Sequence, residues 1–204
     1  VSLVSHAATK KEERMTAYQH LMIDLETLGK KPGCAIVQLG ACLFNIDESP
    51  HEIFCESLDL QSSIDLGLYI DGSTINWWMH QSGEARYSVF DGGERGVVEL
   101  DSGIALLLRW LSQGGLTDFT SLQVWSHGLA FDVPILEHAM AVCGIPVPWS
   151  YKNLRDTRTL AMLAPDVERY EPAIPHNAGA DATAQALWVR DMLNALDAAG
   201  ASSA

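Results

Sequence analysis

A chain of 204 residues, 48% hydrophobic and 19% charged, has enough apolar side chain for one domain with a sizeable core, which excludes a disordered polymer. Its net charge of −13 argues against broad electrostatic binding along duplex DNA, which relies on many Lys and Arg contacts to phosphates. That balance still leaves room for a protein that grips only a strand end and gathers positive charge locally from bound metal ions.

The chain opens with Val1 to Arg14, which lacks the apolar core of a signal peptide. This stretch is read as a disordered or vector-derived segment, with Met15 the candidate native start and 15–204 a single domain. No apolar run reaches the length of a membrane span. Next, apolar Leu21, Ile23 and Leu25 alternate with other residues, which predicts a strand over His20 to Thr27. Side chains alternate faces along a strand, so Asp24 and Glu26 share one face with Cα atoms about 7 Å apart. Two acids so placed repel when ionised, and a hard cation such as Mg²⁺ or Mn²⁺ relieves the repulsion. Two solvated acids at a strand end are the alternative.

Gly29 to Gly33 is a turn whose Lys30 and Lys31 are either solvated or near a phosphate. Cys34 to Asn45 is apolar on both faces and predicts a central strand, and Glu52 to Leu58 a third. Short connections among the three suggest an antiparallel meander. Ser73 is a candidate N-cap for a short helix carrying Trp77 and Trp78, and Ser82 begins another. One tryptophan is expected in the core and the other against a neighbouring loop, with base stacking as the alternative. Ile104, Leu107, Leu108 and Leu111 form the stripe of a helix over Asp101 to Gln113, ended by Gly114-Gly115. A strand over Leu122 to Ser126 precedes a helix from Asp132, with Pro134 in its first turn and Gly144 as its stop. Leu154 to Ala164 predicts a helix, Tyr170 to Ala180 an irregular loop, and Asp181 the start of the last helix, with Ala184, Leu187, Trp188 and Met192 on one face. The loop holds Pro172, Pro175 and Gly179 and is expected to move without substrate. Cys34, Cys42, Cys55 and Cys143 form no C-x-x-C pair and read as reduced thiols, which suits a cytoplasmic compartment.

Asp132 and Asp181 each open a predicted helix, where a carboxylate also serves as a cap. Two further features favour a site. Asp132 follows a strand-to-helix crossover, and His176 stands five residues before Asp181. Taken together, Asp24-x-Glu26, Phe131-Asp132 and His176-x-x-x-x-Asp181 resemble the three motifs of the DEDD exonuclease superfamily, in its DEDDh branch. The other branch carries Tyr where this chain has Asn177. Within the branch, the residues 24–29, 77–82 with Ala85-Arg86, 155–160 and 176–182 resemble the phage and prophage exonuclease A and mycobacterial exoribonuclease-like group. Gly128 departs from the proofreading members, which usually carry Asn there.

The resemblance implies a ribonuclease H-like α/β fold: a mixed sheet of three antiparallel strands followed by parallel ones, flanked by helices. It implies hydrolysis of the 3′-terminal phosphodiester of single-stranded nucleic acid, RNA or DNA, with release of nucleoside 5′-monophosphates. Two divalent cations, Mg²⁺ or Mn²⁺, are implied at Asp24, Glu26, Asp132 and Asp181. Asp24 would bridge them, and His176 would take the proton from the attacking water. An imidazole suits that task because its reference pKa of about 6.5 lies near working pH. Substrate contacts are implied for Thr27, Leu28, Trp77, Trp78, Phe131, Arg155 and Arg158, and a homodimer fits the same reading. Two rivals use the same fold. A ribonuclease H-like endonuclease is disfavoured by the His-x-x-x-x-Asp motif, and an inactive nucleic-acid-binding module is disfavoured by the presence of all four acids.

Overall fold

The computed structural model describes residues 18–46, 52–114 and 119–201. The expected N-terminal segment, 1–14, and Gly115 lie outside them. Strand β1 (His20–Thr27) occupies an interior position in a six-stranded sheet. It pairs antiparallel with β2 (Ile36–Phe44), which pairs antiparallel with β3 (Glu52–Leu58). On its other side β1 runs parallel to β5 (Gln123–Ser126), and β5 parallel to β6 (Leu154–Asp156). A two-residue β4 (Val97–Val98) closes the far edge, giving the order β4-β3-β2-β1-β5-β6. The meander is therefore present, and the sheet is mixed as the motifs implied.

The alternation along β1 divides the molecule. Leu21, Ile23 and Leu25 lie opposite Leu43, Ala41 and Leu39, and this face is covered by α4 (Leu100–Gln113) and α5 (Asp132–Val142). The other face begins apolar, with His20 and Met22 opposite Phe44 and Cys42. It turns polar toward the end of β1, where Asp24 and Glu26 lie opposite Gly40 and Gln38. One long helix, α7 (Ala178–Ala201), crosses this second face. Its Ala182, Ala186, Val189 and Met192 pack on the apolar part. Its first turn lies over Gly40, where a Cβ would overlap the Ala178 carbonyl. Glycine at 40 is what allows the helix to approach the strand so closely.

Several expectations shift. The N-cap of α2 (Gly72–Met79) is Asp71, whose carboxylate accepts the Ser73 N–H at 2.7 Å; Ser73 lies inside the helix. Ser82 caps α3 (Gly83–Phe90) as expected. Leu154–Asp156 is strand, because the free edge of β5 pairs with it; α6 (Thr157–Leu163) starts only after Asp156, which caps it. Asn177 accepts the Ala180 N–H, so α7 begins three residues before Asp181. Its buried face carries Ala182, Gln185, Ala186 and Val189, while Leu187 is only half-buried. The short helix α1 (Leu60–Asp65) and strand β4 carried no sequence expectation. All four cysteines are free thiols, and no helix among the described residues is long and apolar enough to cross a membrane.

Gly40→Ala is expected to lower stability by about 1–3 kcal/mol, the usual cost of overpacking, because the new methyl meets backbone that cannot rotate away. Urea unfolding of the variant measures this, and wild-type stability would mean that α7 stands off the sheet.

Candidate active site

The site forms where the polar end of β1 meets the first turns of α7 and α5. Asp24, Glu26 and Asp181 each present a carboxylate oxygen so that the three atoms lie within 4.8 Å of one another. Two come from one strand face and the third from a helix crossing it, so strand alternation and the Gly40 contact together make the cluster. Asp132, on the first turn of α5, is 3% exposed and spends one oxygen accepting the Leu25 N–H at 3.2 Å. It borders the cluster, apart from the three acids that converge, whereas the sequence named all four as metal ligands. Gln185 lies one turn beyond Asp181 and donates to Asp24 Oδ1 at 2.7 Å. No sequence expectation included it, although its i+4 spacing from Asp181 puts both on one helix face.

Burial is the largest influence on all four acids and disfavours their charge. Asp24 is pushed well above the usual carboxylate range by burial and then by Asp132, Glu26 and Asp181, against a lowering from the Gln185 bond. Glu26 is raised to about 8 by burial, Asp181 and Asp132. Asp132 rises to about 7 through burial, although amide hydrogen bonds and Arg158 pull the other way. Asp181 is also raised by burial, against the nearby His176 and Arg169. Its Oδ2 is buried without a hydrogen-bond partner. An orphaned carboxylate oxygen among other buried acids is costly unless a cation neutralises it. The all-oxygen set suits a hard divalent ion, so these residues fit the metal that the motifs imply.

His176 has a left-handed backbone (φ 60°), and its ring stands edge-on to Trp77 with centroids 4.9 Å apart. The loop that the sequence left unanchored is tied to the fold through the next two residues, Asn177 and Ala178. Trp78 is 3% exposed and donates its Nε1–H to the Thr27 carbonyl, whereas Trp77 is 44% exposed. One tryptophan is thus core and the other sits against the histidine loop. Both line a cavity of ≈ 370 Å³ beside Glu26, together with Thr27, Lys30, Thr74 and Phe131. Leu28 is fully buried, with its N–H and carbonyl bonded to Ala35 and Asp71, so it is not brought to the site.

The two arginines named from the sequence part company. Arg155 donates to the Lys152 and Leu154 carbonyls and acts on His20, near the start of β1. There His20 accepts the Trp125 indole N–H, and burial, then Arg155, lowers its pKa to about 4. Arg158 lies beside the acids: a Cβ on Gly128 would stand 3.4 Å from its Cζ. The Asp156 carboxylate next to it is engaged by the Leu129, Arg158 and Thr159 amides. Arg169, which no sequence signal marked, lies over the Trp188 ring at 5.9 Å and favours the charge of Asp181.

Residues 19–193 match the 3′–5′ exoribonuclease Rv2179c-like domain family. A 123-residue stretch is 32% identical to the exodeoxyribonuclease of Enterobacteria phage T4, over 56% of this chain and 52% of that protein, about half its length. The nuclease domain of 3′hExo, described as a DEDDh family member bound to rAMP, superposes with a TM-score of 0.60 at 12% identity, over 87% of this chain and 92% of that one. Pop2p of S. pombe, in a form described as Mg²⁺- and Mn²⁺-bound, gives 0.51 at 16% identity, over 86% and 82% of the two chains. These two likenesses establish the ribonuclease H-like fold.

Because the folded state raises the affinity of Glu26 and Asp132 for protons, it holds more of them than the unfolded chain between the unfolded and folded pKa values. Stability without metal therefore falls as pH rises through that window, from about 4 to about 8. Each extra proton held is worth about 1.4 kcal/mol per pH unit. The melting temperature of the metal-free protein should drop between pH 5 and pH 8, and Mn²⁺ should restore it more at pH 8 than at pH 5. Asp24→Asn should raise the metal-free value and abolish the Mn²⁺ increment. A flat pH profile, or an unchanged increment in Asp24→Asn, would contradict the carboxylate repulsion described above.

Proposed function

Since the chain belongs to the 3′–5′ exoribonuclease Rv2179c-like domain family, we propose that it hydrolyses the 3′-terminal phosphodiester of single-stranded nucleic acid, RNA or DNA, and releases nucleoside 5′-monophosphates. The observation that carries this reading is the convergence of Asp24, Glu26 and Asp181, with an orphaned anionic oxygen, next to a cavity of nucleotide size. Those three acids would hold the divalent cations, two Mg²⁺ or Mn²⁺ ions, with Asp132 completing the set. When bound, such ions polarise the scissile phosphate and stabilise the charge on the attacking and leaving oxygens.

The chain's own residues do the rest. The cavity takes the terminal nucleoside, with Thr27, Trp77 and Phe131 around it. None of its lining residues comes from β6, α6 or the segment before α7; on this reading the upstream strand runs toward Arg158 and Arg169, whose charges act on Asp132 and Asp181. Their guanidinium groups suit phosphates of the departing backbone. His176 accepts the proton of the attacking water, while the Trp77 ring beside it limits where the imidazole can go. Gln185 fixes the Asp24 carboxylate through one oxygen and leaves the other for a cation. The free thiols fit the cytoplasmic compartment expected from the sequence.

Digestion of 5′-labelled single-stranded RNA and DNA of matched sequence, with Mg²⁺ or Mn²⁺, tests the proposal. Products should shorten stepwise from the 3′ end, and mononucleotides should carry a 5′-phosphate. Internal cuts would favour the endonuclease, and intact binding without turnover the inactive module. His176→Ala should lower kcat by about 10²–10⁴, the contribution of a general base. It should leave the Mn²⁺-induced rise in melting temperature in place, since the acids remain. Loss of that rise would make His176 a ligand instead.

A further inference from the structure

Gln38 is a buried amide in an apolar strand, and neither the acids nor the cavity account for it. It is 2% exposed, and all its polar atoms are engaged. Its Oε1 accepts the Ala178 N–H at 2.8 Å. Its Nε2 donates to Ser57 Oγ and to the Ser88 carbonyl, each at 3.0 Å. Ser57 Oγ donates to the same Ser88 carbonyl at 3.0 Å. The Ser88 hydroxyl in turn accepts the Asn177 side-chain amide at 2.7 Å. β2, β3 and α3 thus converge, through three polar side chains, on the two residues that follow His176.

His176 itself has φ 60°, a left-handed conformation that a non-glycine residue holds only at a cost. Such strain persists where neighbouring structure imposes it. Here the imposition has two parts: the amide network behind the backbone and the Trp77 ring packed nearly perpendicular to the imidazole. Resting on the catalytic reading of His176, we propose that Gln38, Ser88 and Asn177 are positioning residues that hold His176 in reach of the attacking water. None of them belongs to the acid cluster or lines the cavity beside Glu26, and they act through the histidine. Ser88 sits on α3, which also carries Phe90 edge-on to Trp78 at 5.2 Å. Trp78 in turn lies 6.2 Å from the His176 ring, so the helix supports both the backbone and the ring side of His176.

A double-mutant cycle separates this from a general structural role. Gln38→Met keeps the side-chain volume and removes the network, and should lower kcat by about 100-fold, the cost of a displacement of about 1 Å. Ser88→Ala, at a half-buried position, is the milder variant and should lower kcat in the same direction with KM unchanged. Ser88→Thr keeps the hydroxyl and should restore it. In a His176→Ala background, neither Gln38→Met nor Ser88→Ala should cost anything further, because coupled residues are not additive. The His176 ring proton resonance, assigned by its absence from His176→Ala and shifted by the Trp77 ring current, should move in both variants without substrate or metal. Additive losses in the His176→Ala background, or an unmoved resonance, would overturn the proposal. If Gln38→Met does not fold, the Ser88 pair of variants decides alone. Full activity in His176→Ala would instead bring down the general-base reading, which is a separate outcome.

Discussion

The constraint on which the rest of the structure depends is the mutual repulsion of carboxylates crowded into a partly buried cleft. Asp24, Glu26 and Asp181 crowd within 4.8 Å, and Asp132 adds its charge from the side. No solvated arrangement of these side chains would choose that geometry. It is held by groups with other reasons to be where they are. Met22, Cys42 and Phe44 fasten α7 to the sheet one turn after another, and the apolar end of that contact stabilises the polar end. The same helix that buries Val189 and Met192 thereby delivers Asp181 to a place its own charge disfavours. Metal-free stability is given up locally, and the oxygens stand assembled as a cation site would need them.

The two sides of the acids differ in kind. Toward α2 the walls are aromatic and the cavity is shaped, with Trp78 tied to the Thr27 carbonyl at the end of the strand that carries the acids. Toward α6 the surface is open and carries Arg158 and Arg169. A shaped compartment on one side and exposed positive charge on the other would suit a polymer with one end and no fixed length. The acidic remainder of the surface offers such a polymer little reason to bind elsewhere.

Much of this was legible in the sequence because the decisive residues obey short-range rules. Period-two alternation put Asp24 and Glu26 on one face, and the apolar stripe marked α4. What escaped was set by partners distant in sequence. Leu154–Asp156 reads as helix alone and is strand only because β5 offers an edge. Asp71 outcompetes Ser73 as a cap through a contact two residues away, a local bond that either side chain could supply at its own position. Gln38 showed only as one polar letter in an apolar run, and its partners at 57, 88 and 178 come from three other elements. Arg155 and Arg158 look alike in the chain, and only the fold sends one to His20 and the other to Asp132.

The start of α7 at Ala178 changes what the interval between His176 and Asp181 means. Asp181 already lies in the helix, so its direction is a matter of helical phase. One residue inserted between Asn177 and Asp181 would turn the carboxylate by about 100° around the axis and away from β1. A deletion would turn it the other way. Nor could the change be absorbed at Ala178, whose N–H is bonded to Gln38 and whose carbonyl lies over Gly40. Length variation among relatives of this fold should therefore collect upstream of His176, between α6 and the histidine, and the four residues that separate His176 from Asp181 should be inherited as an indivisible unit.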